Sequence, residues 1–486
     1  MNTNELLHNV TVTQLLNERS LAVSDLCFDS RQVAEGSVFV AISGTANDGH
    51  LFIEKAISQG AVAIVCERLP EEIKNTVLYI EVDNSNVALA QMAANFYRHP
   101  SKEIKLVGIT GTNGKTTVAT LSHQLFQKAG YKAGLISTVV IRIGEEAFEA
   151  THTTPDPLTI NRFLRKMADS GVAYCFMEVS SHGINQHRTE GLVFAGGVFT
   201  NLTHDHLDYH KTFAEYRNVK KRFFDGLPKE AFALANADDK NGTFMLQNTK
   251  AAKRTYSLKS VSDYMGQVLE SGFDGMLLKI NGVELWTRLI GQFNAYNIVT
   301  VCAVGELLGL EQNEVLTHVS EVFPVRGRFQ YFVSESGIVV IVDYAHTPDA
   351  LQNVLETIGQ IRSRNEKLTT VIGCGGNRDK EKRPVMARIA TSLSDSVILT
   401  SDNPREENPD TILSDMEQGI PAEFYNRFVT ISDRKNAIKT ACQNAQKGDI
   451  ILIAGKGHET YQEIKGVRHH FDDVQIVREN MKLFKK

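Results

Sequence analysis

Long apolar runs are absent from the sequence. No stretch approaches the roughly 20 residues that a membrane-crossing helix needs, and Met1–Val10 lacks the basic segment followed by an apolar one that marks a leader. These absences exclude membrane insertion and predict a cytoplasmic protein. Cysteine is sparse and scattered: Cys27, Cys66, Cys175, Cys302, Cys374 and Cys442 lie far apart, with no C-x-x-C pair. That spacing argues against structural zinc and against disulfides, and it predicts reduced packing residues. An excess of positive charge is also missing. The 52 Lys and Arg stand against 57 Asp and Glu, for a formal net charge of −5, so there is no basic field for extended nucleic-acid contact and no nucleic-acid partner is expected. Internal repeats and low-complexity tracts are absent as well, which excludes a solenoid.

What is present is a pattern of short apolar runs alternating with longer amphipathic segments, the mark of parallel strands covered by helices, and therefore of an α/β protein. At 486 residues the chain exceeds what one hydrophobic core organises, and three domains are expected, over 1–100, 101–330 and 331–486. In the first, strands are predicted at Ser37–Ile42, Ala61–Cys66 and Val77–Val82, with helical segments near 50–60 and 84–97. Tyr97–Lys105 reads as a linker without regular structure. The second series has strands at Ile104–Ile109, Ala133–Thr138, Ala173–Val179 and Gly197–Leu202. A third, with strands near 338–343, 368–373, 396–401 and 449–454, has a doubly wound order.

The strand ending at Ile109 runs into Thr110-Gly111-Thr112-Asn113-Gly114-Lys115-Thr116-Thr117, and Val118–Ala129 then reads as an amphipathic helix. Strand, glycine turn and helix in that order form a phosphate cradle. Backbone N–H groups and a helix N-terminus face the phosphates, a lysine reaches the β/γ oxygens, and a hydroxyl serves Mg²⁺. The usual spacing places a glycine at 109, where this chain has isoleucine, so the loop is a variant. Glu178 ends the apolar run at 173–179, where a carboxylate can hold Mg²⁺. Residues 201–210 pack His204, His206 and His210 with Asp205 and Asp208 behind another strand, a pattern that fits either a metal site or a polar surface loop. Lys220, Lys221 and Arg222, taken alone, read as a solvated helix face. Three motifs of the third region, at 343–348, 402–405 and 455–459, all follow strands and point to one shared cleft.

Taken together, the motifs resemble those of the Mur ligase family over nearly the whole chain. GTNGKTT at 111–117, EVSSHG at 178–183, NLTHDHLDYH at 201–210, GQFNAYN at 291–297, VRGRF at 325–329, DYAHTPDAL at 343–351 and AGKGHE at 454–459 fall in that family's order. The resemblance implies a small N-terminal α/β domain that binds UDP, a central P-loop ATPase with a mainly parallel sheet, and a C-terminal Rossmann-like domain that binds an amino acid. DSR at 29–31 with DNPR at 402–405 resembles the member that adds the third residue of the bacterial peptidoglycan stem.

The activity so implied joins meso-diaminopimelate to the D-glutamate γ-carboxylate of UDP-N-acetylmuramoyl-L-alanyl-D-glutamate through an acyl phosphate. ATP is consumed and ADP and phosphate are released, with Mg²⁺ as cofactor and the chain acting as a monomer. By the same resemblance Gly111, Thr112, Asn113, Gly114, Lys115, Thr116, Thr117, Asn294, Asn297, Arg328 and Asp343 meet ATP. Phe28, Ser30, Thr45, Ala46, Asn47, His152, Thr153, Thr154, Ser180, Gln186 and Arg188 meet the UDP-sugar peptide. Arg378, Asp402, Asn403, Pro404, Arg405, Gly455 and Glu459 meet diaminopimelate. Lys115, Glu178, His206 and Lys220 are the implied catalytic set, with Thr116, Glu178, His206 and a carbamylated Lys220 at the metal. A lysine-adding form of the same ligase is the nearest rival, and DNPR argues against it. Folate polyglutamate ligases share the ATPase core but not EVSSHG or the early DSR. A non-catalytic nucleotide-binding protein leaves the loop lysine and the amino-acid motifs without a use.

Overall fold

The computed structural model describes residues 1–486 except 45, 46, 204, 206, 363 and 364. Its described strands form three large sheets and one isolated hairpin, Tyr461–Ile464 with Val467–His470. In the first sheet the parallel strands Asp25–Cys27, Ser37–Val40, Ala63–Cys66 and Leu78–Glu81 carry Gln14–Leu16 antiparallel on one edge. The strand residues from 37 to 40 and 63 to 66 are buried on both faces, which is why they read as continuous apolar runs rather than alternating ones.

The second sheet has eleven strands, and Lys105–Thr110 lies near its middle, between Gly196–Phe199 and Tyr174–Glu178. Parallel order brings the C-terminal ends of these three neighbours, and with them the phosphate loop, Glu178 and the segment after Phe199, to one edge. The sequence pattern had shown four of the eleven strands. The edges are antiparallel meanders, Val140–Ile143 with Glu146–Glu149 on one side and Tyr264–Gly272, Gly275–Ile280 and Val283–Thr287 on the other. Their exposed faces carry too many polar residues to stand out as apolar runs.

The third sheet orders Gln330–Val333, Val339–Asp343, Ile450–Ala454, Leu368–Ile372, Ser396–Leu399 and Phe428–Thr430. The last strand in the chain but for the hairpin, Ile450–Ala454, thus inserts between two earlier ones. Helices Pro348–Ile361, Lys382–Leu393 and Pro409–Glu417 cover one face and Arg434–Asn444 and Asp473–Leu483 the other. The loops after 343, 372, 399 and 454 open at one crevice.

Two expectations are corrected. Residues 97–105 are no unstructured linker: Pro100–Lys102 form a 3₁₀ turn, Pro100 and Ser101 are buried, and Ser101 Oγ accepts the Val193 N–H at 3.0 Å. Lys220 and Lys221 are not a solvated face, being 1% and 7% exposed. All six cysteines are buried and unpaired. Among the described residues no helix is long and apolar enough to cross a membrane.

Candidate active site

The phosphate loop is shaped by its neighbour. Gly111 adopts φ +148°, and a Cβ there would lie 1.9 Å from Thr200 Oγ1. Only a residue without a side chain lets the loop pass this close. Asn201 fastens the turn, accepting the Thr112 N–H on its carbonyl at 2.8 Å and the Asn113 N–H on its side chain at 2.9 Å. Gly114, at φ +90°, caps the helix Lys115–Lys128, which begins earlier than its apolar pattern suggests and starts on the phosphate-binding residues themselves. Lys115 Nζ donates to the loop carbonyls of Gly111 and Thr112 at 2.9 and 2.8 Å.

Thr116 Oγ1 donates to Glu178 Oε2 at 3.0 Å and accepts from Arg328 Nη2 at 3.1 Å. Glu178 is fully buried, and its second oxygen accepts the Thr138 N–H at 2.7 Å. Across the loop Lys220 Nζ donates to the Gly111 carbonyl at 2.9 Å and lies 4.7 Å from the Tyr216 ring centre. Burial, followed by the nearby positive charge of Lys115, pushes the Lys220 amine well below its ordinary range, with Asp205 opposing. A hydroxyl beside a buried carboxylate suits a hard cation that prefers oxygen. Among the described residues no three His, Cys, Asp or Glu side chains converge, so any cation here would rely on phosphate and water oxygens as well. His206 lies outside the described residues.

A cavity of about 330 Å³ opens between the second and third sheets, lined by Asn113, Gly114, Thr117, Asn294, Asn297, Arg328 and Asp343, and also by His346 and Asp349. Asp343 works chiefly on the protein. Its oxygens accept the Phe329 N–H at 2.6 Å and the Ala345 N–H at 2.7 Å, which holds Arg328 pointed at Thr116 and stacked 4.4 Å from the centre of Tyr344. Burial raises the Asp343 carboxyl, with these backbone bonds and Arg328 opposing.

A second cavity, about 610 Å³, lies between the first and second sheets and is lined by Phe28, Ser30, Asn47, Gln186 and Arg188 among others. Arg188 donates to the Thr154 carbonyl at 2.5 Å and to Gln186 Oε1 at 2.6 and 3.0 Å. Thr154 Oγ1 bonds the Glu178 carbonyl and the Ser180 N–H, each at 2.9 Å. Thr153 accepts from Thr138 at 3.0 Å. The loop at 153–154 is thereby tied to the strand that carries Glu178. His152 is exposed and does not line this cavity, and Thr45 and Ala46 lie outside the described residues.

At the third crevice Asn403 Nδ2 donates to Glu459 Oε2 at 2.8 Å, and Lys456, which is wholly buried, donates to both Asn403 Oδ1 and Glu459 Oε2 at 3.0 Å. Asp402 Oδ2 sits where a Cβ on Gly455 would come within 2.6 Å, so position 455 must lack a side chain. Arg405, at φ +52°, is clasped by the hairpin: its N–H donates to the Glu463 carbonyl at 3.1 Å and its carbonyl accepts from Lys465 at 2.8 Å. Its guanidinium donates to the Gly376 carbonyl at 2.8 Å and stands 3.7 Å from Glu463. Pro404 is buried against Gly376, while Arg378 is exposed at the entrance. Burial and Asp402 raise the Glu459 carboxyl, with Lys456 opposing.

Residues 23–97, 109–305 and 327–457 match the catalytic domain, the middle domain and the glutamate ligase domain of Mur ligases. The chain is 53% identical, over 99% of both chains, to the UDP-N-acetylmuramoyl-L-alanyl-D-glutamate–2,6-diaminopimelate ligase of Phocaeicola vulgatus. The chain belongs to the Mur ligase family. A Geobacillus kaustophilus ligase of the same name is 43% identical over 93% of this chain and 94% of its own. A solved structure of a ligase so named aligns with a TM-score of 0.70 at 32% identity, covering 100% of this chain and 99% of that one. This Mur ligase also uses residues that motif reading passed over. Thr200 shapes the loop and Thr138 holds Glu178, while Asn201 in NLTHDHLDYH and Lys456 in AGKGHE were visible but have no role that spacing alone reveals.

Proposed function

We propose that this ligase joins meso-diaminopimelate to the D-glutamate γ-carboxylate of UDP-N-acetylmuramoyl-L-alanyl-D-glutamate, using ATP, in bacterial peptidoglycan synthesis. The observation that carries the substrate choice is Arg405, its guanidinium 3.7 Å from Glu463, on the loop that also carries Asp402 and Asn403, with Asn403 bonded to Glu459. A guanidinium next to a carboxylate cluster fits a far end that bears one carboxylate and one ammonium, as diaminopimelate does and lysine does not.

In this reading the 330 Å³ cavity takes the nucleotide and the 610 Å³ cavity the UDP-sugar peptide, whose acidic end reaches Thr153, Thr154 and Ser180. A carboxylate is a poor acyl donor. Transfer of the ATP γ-phosphoryl group to it creates a leaving group, and attack by the amine then forms the amide and releases phosphate. Lys115 leaves its loop carbonyls for the β/γ oxygens, and Arg328 adds a second positive charge at Thr116. Thr116 and Glu178, with Lys220 as a carbamate, are the oxygen donors that would hold Mg²⁺, which supplies charge neutralisation at the transferring group. Burial favours the carbamate, because only the neutral amine reacts with CO₂ and Lys220 is held toward that form.

The test is phosphate release with each amino acid in turn. Catalytic efficiency with meso-diaminopimelate should exceed that with L-lysine by about 10⁴-fold, since a site built to pair a guanidinium with a carboxylate rejects the analogue that lacks it. Arg405→Ala should remove most of that gap. Equal efficiency on the two amino acids in the unmutated enzyme would overturn the assignment.

A further inference from the structure

Lys456 follows directly on the strand Ile450–Ala454 by two residues and has no exposed surface. Its ammonium donates to Asn403 Oδ1 and Glu459 Oε2, both at 3.0 Å, and lies 3.9 Å from Asp402 Oδ1. A side chain so enclosed does not itself reach a ligand in the cleft; it acts through the three groups that it holds. Asn403 Oδ1 also accepts the Glu463 N–H at 3.0 Å. Both of these donors bind the amide oxygen, so the Asn403 amino group is turned toward Glu459.

The formal charges around this point can be counted. Arg405 and Glu463, 3.7 Å apart, cancel. Behind the pocket, buried Arg434 pairs with buried Asp473 at 2.7 Å and cancels too. Within ion-pair reach of Lys456 itself, Asp402 and Glu459 stand against that one ammonium, with Arg378 exposed at the entrance. We propose that Lys456 is a specificity-determining positioning residue that holds the Asp402–Asn403–Glu459 cluster at the inner end of the amino-acid pocket at one net negative charge, matched to a single ammonium, while Arg405 meets the carboxylate beside it. This rests on the diaminopimelate reading above and deepens it. Without Lys456 the cluster would carry two negative charges, which attract a cation but repel the neighbouring carboxylate that Arg405 is placed to receive. Diaminopimelate, which has that carboxylate, is then penalised, and lysine, which lacks it, is not.

Steady-state kinetics of the full chain with meso-diaminopimelate and with L-lysine test this on Lys456→Met, Glu459→Gln and the double variant. Lys456→Met should raise KM for diaminopimelate by about tenfold or more, leave kcat within about threefold, and narrow the preference over lysine. The double variant returns the count to one net negative charge and should lower KM again relative to Lys456→Met. A KM unchanged by Lys456→Met, or a loss that falls on kcat and is not relieved in the double variant, overturns the proposal. Should Lys456→Met not fold, the double variant is compared with Glu459→Gln alone: a lower KM in the double variant supports charge matching, and an equal or higher one overturns it. Failure of the diaminopimelate reading shows separately, as equal use of lysine by the unmutated enzyme.

Discussion

Lys115 and Lys220 hang from different helices, yet both donate to the carbonyl of Gly111 at 2.9 Å. Two ammonium groups this close, one of them fully buried, do not both keep their charge without cost. Their roles therefore divide. Lys115→Ala removes the charge that meets the phosphates and should lower kcat by about 10³-fold or more, while the melting temperature stays close to that of the parent. Turnover near the parent rate would contradict this. Lys220→Ala should be nearly inactive too, but short carboxylates such as formate or acetate should restore part of its activity by placing oxygens in the vacated space. Full activity without them would return Lys220 to a packing role.

At the scale of the element, the phosphate loop depends on the strand beside it as much as on its own residues. Thr200 Oγ1 donates to the Asn113 carbonyl at 2.6 Å and occupies the place that a side chain on Gly111 would need. Gly111→Ala should therefore displace the loop and weaken ATP binding by about tenfold or more, with a stability loss of about 1–3 kcal/mol as for other overpacked sites. Equilibrium nucleotide titration and urea unfolding measure the two effects. Unchanged ATP affinity would mean that the loop accommodates the methyl group.

For the whole molecule, the nucleotide cavity exists only because two sheets face each other. Asp349, on the helix Pro348–Ile361 of the third sheet, accepts from Asn113 Nδ2 at 2.9 Å and from Thr203 Oγ1 at 3.2 Å on the second. Burial raises its carboxyl, and those two bonds oppose the rise. Asp349→Ala should loosen this contact and raise the KM for ATP several-fold, with a smaller effect on the KM of the amino acid, whose proposed contacts Asp402, Asn403, Arg405 and Glu459 all follow strands of the third sheet. An equal rise in both would point to general unfolding of that region rather than to a contact across the cavity.

The sequence by itself determined the α/β alternation, the phosphate loop and the strand-end positions of Glu178, Asp343, Asp402 and Gly455, because a residue at the end of a buried parallel strand is marked by the apolar run before it. It did not show the meander strands at 140–149 and 264–287, whose half-exposed faces break that run. The burial of Lys220 was hidden from composition and spacing, since a lysine reads as solvated until the helix that bears it is packed, and only the family resemblance set it at the metal. Only the tertiary structure decided that Arg328, 212 residues from Thr116, meets its hydroxyl, and that Lys456 stands between Asn403 and Glu459. Such pairings depend on the order in which strands are laid side by side, and the insertion of Ile450–Ala454 between two earlier strands leaves no trace in local spacing.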